Sequence, residues 1–197
     1  MSKPPESLPP DLLLEAYCRG IFPMAMEDGE IGWFSPDPRA VIPLENFHVP
    51  HGLKRALRKG AFEIRVDTAF ARVMRECAAR EETWISEEII GSYCELHRRG
   101  YAHSVEAWKE GELAGGLYGV SLGAVFFGES MYHRVTDASK VALCGLVERM
   151  RQGGFRMLEV QWLTPHLKAF GAIEIPRADY LRRLSECLKA ACEFPLK

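Results

Sequence analysis

Hydrophobic residues recur along the chain with two spacings, one typical of strands and one typical of helices. Strict alternation over residues 62–66 predicts a strand, and apolar positions three or four apart over residues 137–152 predict a long helix. Apolar segments at residues 103–108 and 113–120 are separated by Glu110 and Gly111, a pair typical of a tight hairpin turn. The pattern therefore predicts a sheet that contains an antiparallel hairpin and is flanked by helices.

Capping residues and prolines mark where the shorter helices begin. Side-chain oxygens suit the free amides of a first helical turn, and proline is tolerated there. The predicted caps are Asp11, Asp67, Ser86 and Thr164, and the predicted proline starts are Pro50 and Pro176. Short strands are predicted at residues 40–42, 157–162 and 173–175. The proline-rich residues before Asp11 predict a loose start of the chain.

The order of these elements predicts the fold class. From residue 62 onward the order is strand, two helices, antiparallel strands, a further strand, a long helix, a strand and a helix. This order is typical of an α/β (α+β) fold of the acetyltransferase-like kind (GNAT or acyl-CoA N-acyltransferase type), with a mixed sheet flanked by helices. We predict a small N-terminal domain at residues 1–60 and an acetyltransferase-like C-terminal domain at residues 61–197.

A candidate ligand site lies at residues 126–140. An apolar run at residues 124–127 leads into polar residues and then into the helix that starts near Asp137, an arrangement in which α/β sheets commonly bind ligands. The alternative is a loop whose polar residues face water. Acetyltransferases of this kind bind coenzyme A through a glycine-rich loop, and residues 132–137 contain no glycine. The acyl donor is therefore expected to be something other than coenzyme A.

Composition limits the class of protein. Hydrophobic residues make up 47% and charged residues 26% of the 197 residues, which is ordinary for a globular protein. No apolar run approaches the roughly 18 residues of a membrane span, and the first residues contain no signal-peptide core. The six cysteines have no metal-binding spacing. We expect free thiols in a reducing cytosol, no metal site and no membrane partner.

Charge is unevenly distributed although the net charge is only −2. Residues 39–75 contain eight Lys or Arg against three Asp or Glu, whereas residues 76–137 contain five against eleven. Two blocks of opposite sign are compatible with two oppositely charged partners, although solvated surfaces are the more common explanation. Within the basic block, four residues of one predicted helix are candidates for phosphate contacts. They are Lys54, Arg55, Arg58 and Lys59.

Eight short segments, in order along the chain, carry a family resemblance. They are residues 19–23 (RGIFP), 35–39 (SPDPR), 83–85 (TWI), 103–106 (HSVE), 115–119 (GGLYG), 127–131 (FGESM), 138–140 (ASK) and 171–177 (GAIEIPR). Together they resemble leucyl/phenylalanyl-tRNA–protein transferase. The resemblance implies a bacterial cytoplasmic enzyme that uses neither coenzyme A nor a metal, and we expect a monomer. Such an enzyme moves leucine or phenylalanine, less readily methionine, from aminoacyl-tRNA to proteins with N-terminal Arg or Lys, which marks them for N-degron degradation.

The resemblance also implies a catalytic pair. The reaction is aminolysis of an ester, which needs a neutral amine and a donor for the developing oxyanion. Glu159 and Gln161 occupy the family's Asp-Xaa-Gln pattern, and two positions apart on one strand they would project from the same face. Gln161 is the stronger candidate, because glutamate in place of aspartate changes the reach of the carboxylate. The alternative for Glu159 is a salt-bridge partner at the end of a strand.

A donor site is implied by the same resemblance. Glu129 would hold the ammonium group of the transferred amino acid, or alternatively bond to the following helix N-terminus. Met131, Phe126 and Trp84 are candidates for an apolar pocket that accepts side chains unbranched at Cβ. Trp33 and Phe34 are candidates for stacking on the terminal adenine. Each aromatic residue has core packing as its alternative, and for Phe126 this is the favoured one.

Three other functions remain open from the sequence. A coenzyme A-dependent N-acetyltransferase would share the fold but needs the missing glycine loop. A non-catalytic tRNA-binding protein could retain the fold, with Glu159 as the substitution that abolishes catalysis. An aminoacyl-tRNA-using peptidoglycan transferase would share the fold without these segments.

Overall fold

The computed structural model of the protein describes residues 8–195, and a seven-stranded mixed sheet forms its centre. Within this range the helices are α1 (Pro10–Cys18), α2 (His51–Arg58), α3 (Phe70–Ala78), α4 (Glu87–Arg98), α5 (Ala138–Gln152), α6 (Pro165–Lys168) and α7 (Arg177–Leu188). The strands are β1 (Phe22–Ala25), β2 (Ile31–Phe34), β3 (Arg39–Ile42), β4 (Glu63–Val66), β5 (Ala102–Lys109), β6 (Glu112–Leu122), β7 (Val125–His133), β8 (Met157–Glu159) and β9 (Ile173–Ile175). The predicted loose stretch before Asp11 lies largely outside the described residues.

The main sheet has the strand order β4-β5-β6-β7-β8-β3-β9, and β1 and β2 form a separate hairpin. Strands β7 and β8 are parallel, whereas the other neighbouring pairs are antiparallel. The predicted mixed α/β sheet flanked by helices is therefore confirmed. Strand β3 precedes residue 60 yet lies between β8 and β9, so the main sheet extends across the predicted domain boundary.

Hydrophobic side chains cover both faces of the sheet, as a two-sided sheet requires. One core cluster joins the sheet to α1, α3, α4 and α7, and includes Tyr17, Tyr93, Phe127 and Tyr132. The other joins the opposite face to α2 and α5, and includes Leu53, Phe126 and Leu146. Strand β7 therefore lies between α3 on one face of the sheet and α5 on the other.

Several local predictions are confirmed. Glu110 and Gly111 both have positive φ and connect β5 to β6, as the hairpin signal indicates. Ser86 accepts a hydrogen bond from the amide of Ile89, and Thr164 accepts one from Leu167, so both are helix caps. Glycine was expected where another element approaches the sheet. A Cβ at Gly115 would lie 2.7 Å from the Cβ of Ala138 at the start of α5.

Three local predictions are wrong. Helix α1 begins one residue before Asp11, which therefore lies in its first turn and does not cap it. Asp67 accepts hydrogen bonds from Ser104 N at 2.8 Å and from His103, so its carboxylate ties β4 to β5 rather than capping α3. The strand predicted at residues 157–162 ends at Glu159, because Gln161 adopts a φ of 56° that a strand cannot continue through.

A buried ion pair joins β3 to β8. Arg39 Nε donates to Glu159 Oε1 at 2.7 Å, and neither side chain has any exposed surface. Arg39 Nη1 also donates to the carbonyl of Gly20 at 3.1 Å, which ties the end of α1 to the sheet. Burial raises the pKa of Glu159, while the Arg39 guanidinium opposes that shift. The ion pair is therefore stabilised by the attraction and hydrogen bonding between its two members, because burial alone disfavours each charge.

Breaking this ion pair is predicted to destabilise the fold. Glu159→Gln leaves the Arg39 charge buried without its partner, and losses of about 3–5 kcal/mol are typical of such a change. Urea unfolding followed by circular dichroism measures the loss. The double variant Arg39→Met/Glu159→Leu should recover much of it, because no buried charge remains.

An exposed ion pair provides the control. Arg65 and Glu63 are 2.8 Å apart with side chains 36% and 64% exposed, so Glu63→Gln should change stability by no more than about 1 kcal/mol. Equal effects of Glu159→Gln and Glu63→Gln would contradict a special role for the buried pair.

Candidate active site

A cavity of about 290 Å³ opens where β7 and β8 part. The two strands pair only from Val125 to Phe127 on β7, and β7 then continues to His133. The wedge between them is lined on one side by Gly128, Glu129, Ser130 and Met131, and on the other by Leu158, Val160, Gln161 and Trp162. Its volume lies near the lower limit of roughly 300 Å³ for small-molecule sites. A loss of strand pairing therefore creates the space.

A β-bulge aims Glu129 at this cavity. On β6, Tyr118 pairs with Ser130 and Gly119 pairs with Gly128, so Glu129 has no partner across the ladder. Bulges next to active sites commonly redirect one side chain in this way. A Cβ at Gly119 would lie 2.1 Å from the carbonyl oxygen of Phe127, so only glycine fits opposite the bulge. Residues 129–131 thus belong to a strand, and the predicted polar loop begins only after His133.

Two buried tyrosines support the Glu129 carboxylate. Tyr17 of α1 donates its hydroxyl to Glu129 Oε1 at 2.7 Å, and its oxygen is also hydrogen-bonded to the hydroxyl of Tyr93 on α4. Burial raises the pKa of Tyr17 well above its ordinary value, so the hydroxyl remains a donor. Burial also raises the pKa of Glu129 to about 8, even though Tyr17 opposes the shift. At neutral pH this environment therefore favours the protonated form of Glu129.

Gln161 lies across the wedge from Glu129. Its Nε2 is 3.5 Å from Glu129 Oε1, the long limit of a hydrogen bond. The positive φ of Gln161 turns the backbone so that its amide donates to Glu159 Oε1, while its carbonyl accepts from Ala40. The backbone of Gln161 is therefore held by contacts to β3 and to Glu159, which fixes where its side chain begins.

Glu159 occupies a different environment from Gln161. Its side chain has no exposed surface and contacts Arg39 and the Gln161 amide, and Glu159 is not among the residues that line the cavity. The expectation that the two residues project from one face of a strand is wrong, because the strand ends between them. The salt-bridge alternative for Glu159 agrees with the structure.

Two of the predicted pocket residues line the cavity and one does not. Met131 and Trp84 are both part of its wall. Phe126 is fully buried on the α5 side and packs on Phe194, with ring centroids 5.3 Å apart. The prediction of Phe126 as a pocket residue is therefore wrong, and its core alternative is correct.

The predicted stacking residues lie on the β1–β2 hairpin. Phe22 pairs with Phe34 across the hairpin, and their rings stack with centroids 6.2 Å apart. Phe22 lines the cavity, whereas Phe34 packs behind it. Trp33 is the next residue on the strand and points to the opposite face of the hairpin, because side chains alternate. Neither Trp33 nor Phe34 is among the lining residues.

The four predicted phosphate-contacting residues lie on or beside α2. Lys54, Arg55, Arg58 and Lys59 are all exposed, and Leu53 is the buried residue that attaches the helix to the α5 side of the sheet. The helix therefore presents a basic surface outside the cavity. A role in binding phosphates stays a prediction.

Sequence reasoning missed several of the residues that complete the site. Leu117, Leu143 and Leu146 line the deep apolar end of the cavity, and Trp162 lies at its rim. His166 lines this cavity and an adjoining one of about 550 Å³. Burial lowers the pKa of His166, so its imidazole is neutral at pH 7. The spacing of Leu143 and Leu146 on one helix face was visible in the sequence, but the space beneath them was not.

Residues 8–195 contain neither a metal-binding cluster nor a membrane-spanning helix. In this part of the chain no group of three or more His, Cys, Asp or Glu residues could hold a metal ion. No helix there is long and apolar enough to cross a membrane.

Comparison with known proteins covers most of the chain. The family model for leucyl/phenylalanyl-tRNA protein transferase matches residues 41–185, and the model for the N-terminal domain of the same family matches residues 6–37. Among solved structures, the L-PGS structure from Bacillus licheniformis has a TM-score of 0.43 and 13% identity, and the match covers 81% of this chain and 55% of that chain. A likeness at that level adds nothing to the assignment.

Curated relatives match over nearly their whole length. The leucyl/phenylalanyl-tRNA–protein transferase of Herpetosiphon aurantiacus is 56% identical over 188 residues, 95% of this chain and 98% of the relative. That of Rubrobacter xylanophilus is 58% identical over 183 residues, 92% of this chain and 96% of the relative. With the family model spanning more than half of its residues, the chain belongs to the leucyl/phenylalanyl-tRNA–protein transferase family and is a transferase.

Proposed function

We propose that this protein transfers leucine or phenylalanine, and less readily methionine, from aminoacyl-tRNA to proteins with N-terminal Arg or Lys. The modified proteins then carry a destabilising residue that marks them for N-degron degradation. The observation that carries the proposal is the bulge that aims Glu129 into an apolar cavity opposite Gln161. The protein acts as a cytoplasmic monomer, because aminoacyl-tRNA is present in the cytoplasm and one chain supplies all these residues.

The apolar end of the cavity supports a leucine or phenylalanine side chain as its occupant. Leu117, Met131, Leu143, Leu146 and Leu158 line this end and offer no charged group. An apolar pocket lined by these side chains suits an amino acid that is unbranched at Cβ, because a branch would lie beside the reacting ester. Flexible Met131 lets one pocket accept side chains of different shape.

Glu129 is suited to hold the ammonium group of the donor amino acid. A cation that enters the cavity favours the ionised carboxylate, so donor binding displaces the proton that the empty site retains. The Tyr17 hydroxyl fixes the carboxylate at 2.7 Å and keeps it oriented toward the wedge. The donor is thus held by its charge at Glu129 and by its side chain in the apolar end.

Gln161 is suited to orient the reacting groups. The neutral acceptor amine attacks the ester carbonyl, a C–N bond forms, and the bond to the ribose oxygen then breaks while that oxygen takes up the amine's proton. The carboxamide of Gln161 can donate a hydrogen bond to the developing oxyanion. Glu159 acts through Gln161, because it holds the backbone amide and has no exposed surface of its own.

Transfer of labelled amino acid from Phe-tRNA to a peptide that begins with arginine tests the proposal directly. Leu-tRNA should also serve and Met-tRNA should be slower, whereas Val-tRNA and a peptide that begins with alanine should give little product. Binding of Phe-tRNA without any transfer would support the non-catalytic alternative and contradict the proposal.

Removing the Gln161 carboxamide should slow the reaction without unfolding the protein. Gln161→Ala is expected to lower kcat about a hundredfold, the typical effect of losing one oxyanion donor. Single-turnover transfer from bound Phe-tRNA measures the step. Gln152→Ala is the matched control, because Gln152 is exposed at the end of α5. Full activity of Gln161→Ala would exclude it from the reaction.

Donor binding should depend on pH through Glu129. The native carboxyl has a pKa of about 8, so between pH 5.5 and 7 it must lose a proton before it can hold an ammonium group. The association constant for an aminoacyl-adenosine analogue with an amide in place of the ester should rise about fivefold to tenfold per pH unit in this window. Equilibrium binding at several pH values provides the measurement.

Two variants check the source of this pH dependence. Glu129→Gln should remove the slope, and Tyr17→Phe should extend it to higher pH, because the Tyr17 hydrogen bond lowers the pKa of Glu129. Stability changes in the opposite sense, since a raised carboxyl pKa stabilises the fold at low pH and that contribution is lost from about pH 4.5 to pH 8. An unchanged slope in Glu129→Gln would refute the assignment.

The basic surface of α2 should contribute to tRNA affinity mainly through charge. Arg55→Gln/Arg58→Gln is expected to weaken tRNA binding and to reduce the slope of log K against log salt by about 0.7 to 0.9 per lost phosphate contact. Arg182→Gln/Arg183→Gln on α7 is the control, with the same loss of charge elsewhere. Equal salt slopes in wild type and the α2 variant would place the tRNA elsewhere.

A further inference from the structure

Trp162 is an exposed aromatic residue at the rim of the cavity. It follows Gln161 directly, lines the same cavity as Glu129, and has 45% of its surface exposed. Neither the motifs nor the hydrophobic pattern singled it out. An exposed indole that lines the cavity beside the proposed reaction centre is placed to contact a ligand that enters there.

The indole of Trp162 packs against a buried ring. Its ring meets the ring of Phe22 edge to face, with centroids 5.3 Å apart and planes at 88°. Phe22 is itself 2% exposed and lies under the Arg39 guanidinium at 4.9 Å. The Trp162 amide donates to the carbonyl of Val160 at 2.7 Å. The indole is therefore fixed by its surroundings and available to a partner.

A second indole lines the same cavity, whereas other exposed aromatic residues do not. Trp84 is part of the wall together with Trp162. Trp33 is 40% exposed but lies on the face of the β1–β2 hairpin away from Phe22. Tyr101 is 38% exposed at the start of β5, outside the cavity. Position, rather than exposure alone, distinguishes Trp162.

We propose that the Trp162 indole stacks on a base of the single-stranded 3′ end of the aminoacyl-tRNA. The inference rests on the proposed function, in which the donor amino acid fills the apolar end of the cavity. The ester of the donor then lies near Gln161. The nucleotide that carries this ester must extend out of the cavity past Trp162 at the rim. Proteins recognise unpaired RNA bases by stacking them on fixed aromatic side chains.

The positive charge of Arg80 in the cavity wall favours RNA over the acceptor protein as the partner of Trp162. Indoles also attract guanidinium groups, so an N-terminal arginine is the competing occupant. Arg80, however, lines the same cavity and donates to the carbonyl of Met131. Its positive charge repels a second guanidinium and attracts the phosphates that accompany an RNA base.

Kinetics of three variants test the proposal. Trp162→Ala should raise the KM for Phe-tRNA about tenfold, within the range of one lost base–aromatic stack, and leave the KM for the arginine peptide unchanged. Trp162→Phe should retain most of the affinity, since it keeps an aromatic face. Tyr101→Ala is the matched control and should leave both KM values unchanged. Thermal unfolding of each variant verifies that Trp162→Ala remains folded.

Salt dependence and a direct probe separate stacking from other roles. Trp162→Ala should lower tRNA affinity without changing its salt slope, unlike the α2 variant. A cytidine-cytidine-adenosine trinucleotide should quench the tryptophan fluorescence of wild type, and Trp162→Phe should lose much of that quenching.

Failure of this inference is distinct from failure of the proposed function. Absence of transfer by the wild type would refute the function. Normal transfer with equal KM values for Phe-tRNA in wild type and Trp162→Ala would overturn the stacking role alone. A raised KM for the peptide instead of the tRNA would assign Trp162 to the acceptor. Loss of tRNA affinity in Trp33→Ala but not in Trp162→Ala would assign the stacking role to Trp33 on the β1–β2 hairpin.

Discussion

The buried pair of Arg39 and Glu159 is the interaction on which the rest of the site depends. It joins β3 to β8 where β8 ends, and the Glu159 carboxylate also binds the amide of Gln161. Arg39 reaches the carbonyl of Gly20 and lies over the Phe22 ring, so the same guanidinium holds the segment that leads into the hairpin. One fully buried charge pair thus sets the positions of Gln161 and of the rim.

The site is assembled from parts of the chain that meet only in the folded protein. Tyr17 comes from α1, Tyr93 from α4 and Glu129 from β7, and their side chains form one hydrogen-bonded chain. The N-terminal helix therefore belongs to the functional centre as much as the sheet does. The predicted N-terminal domain at residues 1–60 therefore contributes a side chain, Tyr17, to the site formed by the main sheet.

Local structure was predictable from the sequence where its cause is local. The Glu110–Gly111 turn and the Ser86 cap depend on a few neighbouring residues and were predicted correctly. The prediction that Asp67 caps a helix was wrong because its carboxylate binds partners on β5, 36 and 37 positions away. The partner of Glu159 is 120 positions distant, which no spacing rule reveals. The family motifs identified Glu129 and Gln161, but their geometry depends on strand pairing.

The bulge at Glu129 also reverses the alternation of side chains along β7. Before the bulge, Phe126 packs on the α5 side of the sheet and Phe127 packs on the α3 side. After the bulge, Met131 packs on the α5 side and Tyr132 packs on the α3 side. Removing Glu129 alone would restore regular pairing with β6 and would leave Met131 and Tyr132 on the same cores, so core packing does not require the extra residue. The bulge therefore serves the cavity rather than the core, because the residue that it adds is the one whose carboxylate lines the cavity.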